Sequence, residues 1–105
     1  MVSVPTLVQE QMDAIRQLCR RHHVARLELF GSAASGSFDS AHSDLDFLVD
    51  FERLRPSDRA DAYFGLLESL QDLFQRGVDL VEVQAITNPY FRQTVEAART
   101  VLYAA

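Results

Sequence analysis

Asp44 and Asp46 are separated by a single residue, and a third carboxylate, Asp79, interrupts the apolar run Val78-Asp79-Leu80-Val81. If Asp44 to Phe51 is a strand, Asp44 and Asp46 leave the same face with Cα atoms roughly 6.5–7 Å apart. That spacing suits one or two hard divalent cations, because two-metal sites hold their ions ~3.5–4 Å apart. Without a cation or solvent the adjacent like charges cost free energy, and a solvated strand edge or a turn after Ser43 is the plainer alternative. Asp79 would be expensive to bury alone. Beside Asp44 and Asp46 it could ligate a metal or accept the proton of an attacking hydroxyl; at a strand end it could simply face water or an arginine. Glu82 is the second candidate for a third carboxylate, on the opposite face from Asp79.

Upstream, Leu29-Phe30-Gly31-Ser32 ends an apolar stretch in a Gly-Ser turn. Glycine allows close approach of backbone to ligand, and successive N–H groups entering a helical turn form an anion site. The Ser32 hydroxyl can donate to a phosphate oxygen. Taken alone, a Gly-Ser turn is more often structural than functional.

These residues need elements to hold them. Leu7, Val8, Met12, Ile15, Leu18 and Cys19 recur at helical spacing, which predicts a first helix from about Pro5 to Arg21. Val24 to Phe30 alternates as a half-buried strand. Gly31 to Ser43 reads as a loop, and Asp44 to Phe51 as a second strand with Leu45, Phe47, Val49 and Phe51 on one face. A helix is expected from Pro56–Ser57 to about Gln75 with Gly77 as its stop, then a short strand over Val78 to Val83. Asn88–Pro89 supplies an N-cap and a first-turn proline for a last helix through about Tyr103. The expected fold class is α/β (α+β), a small mixed β-sheet covered by helices.

Composition sets the outer limits. With 105 residues, the chain is expected to form one domain over 1–105. Its formal net charge is −5 and its basic residues, all arginine, form no stripe, which argues against a dedicated nucleic-acid binder. An acidic protein can still hold a polyphosphate if a divalent metal lies between them. Cys19 falls among apolar helix positions and reads as a packed thiol. No leader pattern or membrane-length apolar run occurs, so a cytoplasmic protein is expected. His22 and His23 fall at a helix C-terminus, where a partly charged imidazole favours the dipole; His42 reads as a solvated turn residue, with a place near the acceptor as its alternative. The aromatic residues Tyr63, Phe64, Phe74, Tyr90, Phe91 and Tyr103 read mostly as core.

Together, Leu29-Phe30-Gly31-Ser32, Gly36, Ser43-Asp44-Leu45-Asp46-Phe47-Leu48-Val49 and Val78-Asp79-Leu80-Val81 resemble the minimal nucleotidyltransferase (MNT) family of the polymerase-β-like nucleotidyltransferase superfamily. The resemblance runs from about Val24 to Val101-Leu102-Tyr103. It implies that Gly31 and Ser32 hold the triphosphate of ATP, that Asp44 and Asp46 bind two Mg²⁺ ions, and that Asp79 is the third carboxylate. An acceptor oxygen would attack the α-phosphorus and pyrophosphate would leave, with the metals lowering the acceptor's pKa and neutralising charge. Family members are similar to one half of two-component systems whose other half is an all-helical HEPN protein, often an RNase toxin. The resemblance therefore implies a protein adenylyltransferase acting as antitoxin, with a tyrosine of the HEPN partner as acceptor, in a hetero-oligomer.

The sequence departs from the family pattern in two ways. Eleven residues, Ala33 to Ser43, separate the Gly-Ser pair from Asp44 where ten are usual, a small change for a surface turn. The residues after Ser32 are Ala33, Ala34, Ser35 and Gly36, where the family often has an Arg or Lys. That loss removes a phosphate contact, for which Arg76 or Arg26 are candidate replacements. It also motivates the alternative of a non-catalytic module that masks its HEPN partner by contact.

Overall fold

The structure, a computed structural model, describes residues 4–31, 44–83 and 99–105. The N-terminal helical region is two pieces, α1 (Thr6–Gln9) and α2 (Met12–Arg21). The single helix expected from Pro5 is broken at Gln11, whose φ and ψ of −109° and 14° lie outside the helical region. No Gly or Pro marks that break, so composition gave no signal of it. The apolar stripe survives the break: Val8, Ile15 and Cys19 are fully buried. Burial pushes the Cys19 thiol up to about 12, the behaviour of a packed group.

Strand β1 (Val24–Phe30) follows, then β2 (Leu45–Phe51), α3 (Pro56–Phe74), β3 (Val78–Glu82) and β4 (Arg99–Ala104). The sheet order is β3-β2-β1-β4. β1 runs antiparallel to β2 and β4, and β2 runs parallel to β3, with α3 as the crossover. The sheet is therefore mixed, as expected for the α/β class, with four strands among the described residues where three were expected.

Side-chain alternation gives this sheet two unlike faces. On the helix side Leu27, Leu29, Leu45, Phe47 and Val49 are fully buried against α2 and α3, and the Phe47 and Phe74 rings stack with centroids 6.0 Å apart. Burying five such side chains contributes on the order of 10 kcal/mol before conformational entropy is subtracted. The other face carries Phe30 and Leu48, packed with half-buried Val81 as a small separate apolar cluster.

The fourth strand corrects the expected last helix. Residues 99–104 are extended and pair with β1, so no helix reaches Tyr103. The Thr-Val-Leu-Tyr run has strong strand preference and pairs with a buried central strand, which outweighs helical spacing of a few apolar residues. A register shift between Leu27 and Glu28 turns both Leu102 and Tyr103 toward the core. The predicted start of that helix, Asn88–Pro89, lies outside the described residues, as does the predicted loop from Ser32 to Ser43 with His42.

The end of α3 also differs from expectation. Its left-handed terminal residue is Gln75, with φ 51° and ψ 44°, and the Gln75 side chain donates to the Asp72 carbonyl at 2.7 Å. Gly77 is not the helix stop and serves elsewhere. His22 does cap α2, its backbone N–H donating to the Leu18 carbonyl. Burial first, then the charges of Arg21 and His23, hold its pKa below the usual range. It packs over Gly65 and lies 3.3 Å from Ser69 Oγ, so its ring is set against α3. Among the described residues, no helix is long and apolar enough to cross a membrane.

Candidate active site at the ends of β1, β2 and β3

Three elements converge where β1 ends and β2 and β3 begin. β1 and β2 are antiparallel and β2 and β3 parallel, so the last residue of β1 meets the first residues of the other two. Phe30 is opposite Asp46, and Asp46 is opposite Asp79. Cross-strand partners project from one face, so Asp46 and Asp79 are side-by-side neighbours on the face turned away from the main core. Asp44 stands two residues before Asp46, at the foot of β2. The structure thus brings together all three aspartates singled out in the sequence.

Burial of the three is unequal. Asp44 and Asp79 are exposed and Asp46 is half-buried. The exposure of Asp79 corrects the reason for suspecting it: there is no burial cost for a partner to relieve, and its place in the row beside Asp46 is what joins it to the group. Asp46 is the perturbed member. Burial first, then Asp79, then Asp44, raise its carboxyl to about 6.

Two glycines make room for these side chains. Gly31 has φ 69°, a conformation L side chains rarely adopt, and a Cβ there would lie 3.1 Å from Asp46 Cγ and nearer still to Oδ2. Gly77 abuts Asp44: a Cβ there would stand 2.8 Å from Asp44 Cγ, and the Leu45 N–H donates to the Gly77 carbonyl at 3.1 Å. The sequence marked Gly31 as a point where backbone approaches a ligand; in the structure the group close to it is the Asp46 carboxylate. Gly77 was assigned a different task, because a glycine just after a helical pattern ordinarily reads as a C-terminal stop. Ser32 lies outside the described residues.

Glu82 belongs to another arrangement. Arg59 Nε donates to Glu82 Oε2 at 3.1 Å, and Nη2 reaches the same oxygen. Beside this pair the Tyr63 hydroxyl donates to the Leu80 carbonyl at 2.7 Å. Both contacts tie the edge strand β3 to α3. Asp79 is therefore the third carboxylate of the cluster by position, and Glu82 a tether.

Hard oxygen donors at one end of the sheet, with one carboxyl raised by burial and then by its neighbours, form a donor set that a divalent cation would relieve. Among the described residues no three acidic, His or Cys side chains are already closed into a metal cage. The aspartates line a common edge without converging on a point. A cavity of about 450 Å³ lined by Arg21, His22, His23, Asp58 and Asp61 lies by the start of β1, the far end from Gly31. It is unconnected with this chemistry.

Comparison with known proteins agrees with this layout. Residues 12–102 match the model of the nucleotidyltransferase domain family. A curated relative from Methanocaldococcus jannaschii, "Putative protein adenylyltransferase MJ1379", is 32% identical over 94 residues, covering 81% of this chain and 91% of its own length. A solved structure described as a "putative minimal nucleotidyltransferase" superposes with a TM-score of 0.67 at 30% identity, covering 93% of this chain and 95% of the other. A complex of a tri-AMPylated Shewanella oneidensis HEPN toxin with its MNT antitoxin aligns with a TM-score of 0.62 at 23% identity, covering 92% and 72%, and supports the fold. The family match spans most of the chain and includes all three aspartates, and the chain belongs to the nucleotidyltransferase domain family as an enzyme of the minimal nucleotidyltransferase type.

Proposed function

We propose that this chain transfers AMP from ATP to a hydroxyl of a partner protein, with Asp44, Asp46 and Asp79 as Mg²⁺ ligands and Gly31 and Ser32 as triphosphate-binding residues. The observation that carries the reading is the row Asp79–Asp46 beside Asp44, laid against the close-approach glycine Gly31. In the reaction the acceptor oxygen bonds to the α-phosphorus, and the bond from that phosphorus to the oxygen bridging to the β-phosphate breaks. Its electron pair leaves with pyrophosphate. Asp79, exposed at the edge of the group, is the carboxylate placed to take the acceptor's proton and pass it to solvent. Bound Mg²⁺, one ion or two, supplies charge neutralisation on the phosphates and lowers the acceptor's pKa.

The relatives support a reading of the partner. The curated relatives carry the name of protein adenylyltransferases, and the Shewanella complex pairs an AMPylated HEPN toxin with an MNT antitoxin. A HEPN-type toxin with a tyrosine acceptor is accordingly the proposed substrate, and silencing it the proposed role. The test uses labelled ATP, Mg²⁺ and the HEPN-type partner: label should move to the partner, and Asp44→Ala should abolish the transfer. A second reading, neutralisation by contact alone, is motivated by the run Ala33-Ala34-Ser35-Gly36, which lacks the family's usual cation. It predicts that an Asp44→Asn, Asp46→Asn protein still neutralises the partner fully.

The glycine beside Asp44 gives an independent check. Gly77→Ala should push the Asp44 carboxylate aside, since the added Cβ would contact Cγ at 2.8 Å. Misplacement by about 1 Å can cost about 10²-fold in rate, so transfer should fall by one to two orders of magnitude, on the order of that estimate, while the fold persists. Wild-type transfer by Gly77→Ala, with an unchanged melting temperature, would remove Asp44 from the site.

A further inference from the structure

The face that carries the aspartates also carries a cationic group that no part of the nucleotidyl-transfer reading uses. Phe30, the residue before Gly31, pairs with Asp46 on one side and with Arg99 on the other. One cross-strand row therefore reads Asp79–Asp46–Phe30–Arg99, with the carboxylates and the guanidinium flanking the strand that leads into the Gly-Ser turn. Neighbouring strands lie about 4.8 Å apart. Arg99 thus starts roughly 10 Å from Asp46, a gap that a triphosphate and an arginine side chain together can span.

What lies beneath Arg99 holds it on this face. Glu28 is 3% exposed, an unusual burial for a carboxylate. Its Oε1 accepts from Arg26 Nε at 2.6 Å, and its Oε2 lies 3.1 Å from Arg99 Nε. The second approach is an ion pair without hydrogen-bond alignment, since Oε2 has no hydrogen-bond partner. One carboxylate lies between two guanidinium groups, and Arg26 also stands opposite Asp50 in the register, so Glu28 does not cancel the charge of Arg99 by itself. The Arg99 side chain remains 40% exposed, so it can meet a ligand without leaving Glu28.

From this arrangement we propose that Arg99 binds the terminal phosphates of the nucleotide, the part that departs as pyrophosphate, and that Glu28 is its positioning residue. The inference rests on the nucleotidyl-transfer reading and names the cation that the run after Ser32 does not provide. Arg26, in the same ion group, lies four residues back along β1, about 13 Å from Phe30, and cannot take this role. Arg76 is the poorer candidate because its Nε is shielded from solvent. An arginine fork matches phosphate geometry and forms charge-assisted hydrogen bonds.

The experiment is titration calorimetry of the full chain with Mg²⁺–ATP, Mg²⁺–pyrophosphate and Mg²⁺–AMP. Arg99→Gln should weaken ATP and pyrophosphate by about tenfold and leave AMP unchanged, Arg99→Lys should recover part of the loss, and Arg26→Gln should bind all three as wild type does. Arg99→Gln leaves Glu28 with one partner fewer, so Arg99→Gln combined with Glu28→Gln, which removes the buried carboxylate and leaves only half-exposed Arg26 to lose a partner, should show the same selective loss. Equal binding of ATP by wild type and both Arg99 variants overturns the assignment alone. So does a loss shared equally by ATP and AMP, the mark of a merely structural role. Wild-type protein that binds neither ATP nor pyrophosphate overturns the nucleotide reading and this assignment together.

Discussion

Asp46→Asn is expected to abolish transfer, by about 10³-fold or more, and at the same time to raise the melting temperature of the metal-free protein above pH 6. Both effects come from one cause. The Asp46 carboxyl is raised to about 6 by burial, Asp79 and Asp44, in that order, whereas an unfolded Asp titrates near 3.9. A folded-state pKa above the unfolded one means that the folded protein binds the proton more tightly. Its stabilising contribution is fully present below about pH 3.9 and is lost as pH rises through about 6. In chelator, the wild-type protein should therefore lose stability relative to Asp46→Asn between pH 4 and pH 7. At pH 8 the variant should melt higher, because an amide carries no charge to repel Asp44 and Asp79. Adding Mg²⁺ and ATP should reverse the order, since a ligand that binds only the folded state stabilises it by mass action and the variant has lost a ligating oxygen. Thermal melts of both proteins at pH 4, 6 and 8, with chelator and with Mg²⁺–ATP, check the prediction. A wild-type protein that matches Asp46→Asn at pH 8 in chelator would show that the three carboxylates do not interact.

The contrast between Asp46 and its surroundings also shows where a sequence is legible. Period-two alternation placed β1 and β2 within a residue of where they lie, because each has one face against a helix-covered core. The Asp44–Asp46 pairing followed from the same geometry. The β4 segment was misread because five or six residues of mixed apolar character fit either period, and only pairing with Phe30 and Leu29 decides between them. Asp79 was correctly grouped with the pair for the wrong reason: parallel register, which no local pattern encodes, sets it beside Asp46. Gly77 was given another task and Arg99 went unremarked for a related cause. Each is placed by a residue far away in the chain, Asp44 and Phe30, and each has an ordinary local explanation, a helix stop and a scattered surface arginine.

Register also separates the two candidates for the third carboxylate, and here the expected effects differ sharply. Asp79→Asn should lower transfer by about 10²–10³-fold with little change in stability, because its carboxylate is exposed and its neighbours repel it. Glu82→Gln should leave transfer within about twofold and cost the fold at most about 1 kcal/mol, the usual worth of a partly exposed ion pair. Glu82 lies on the other side of the strand from Asp79, against Arg59, and its loss leaves the Tyr63–Leu80 tether intact. That tether is the reason the effect on transfer should stay small: two polar contacts, besides the packing of Leu80, tie β3 to α3, and either one helps keep Asp79 opposite Asp46. Removing both, as Glu82→Gln with Tyr63→Phe, should lower transfer far more than the product of the single effects, because the edge strand then loses both polar ties to α3 and keeps its pairing with β2 and the core packing of Leu80. Transfer assays and melting curves on the four variants measure this directly. A Glu82→Gln protein as inactive as Asp79→Asn would exchange their roles, and strictly multiplicative losses in the double variant would show that α3 does not set the position of Asp79.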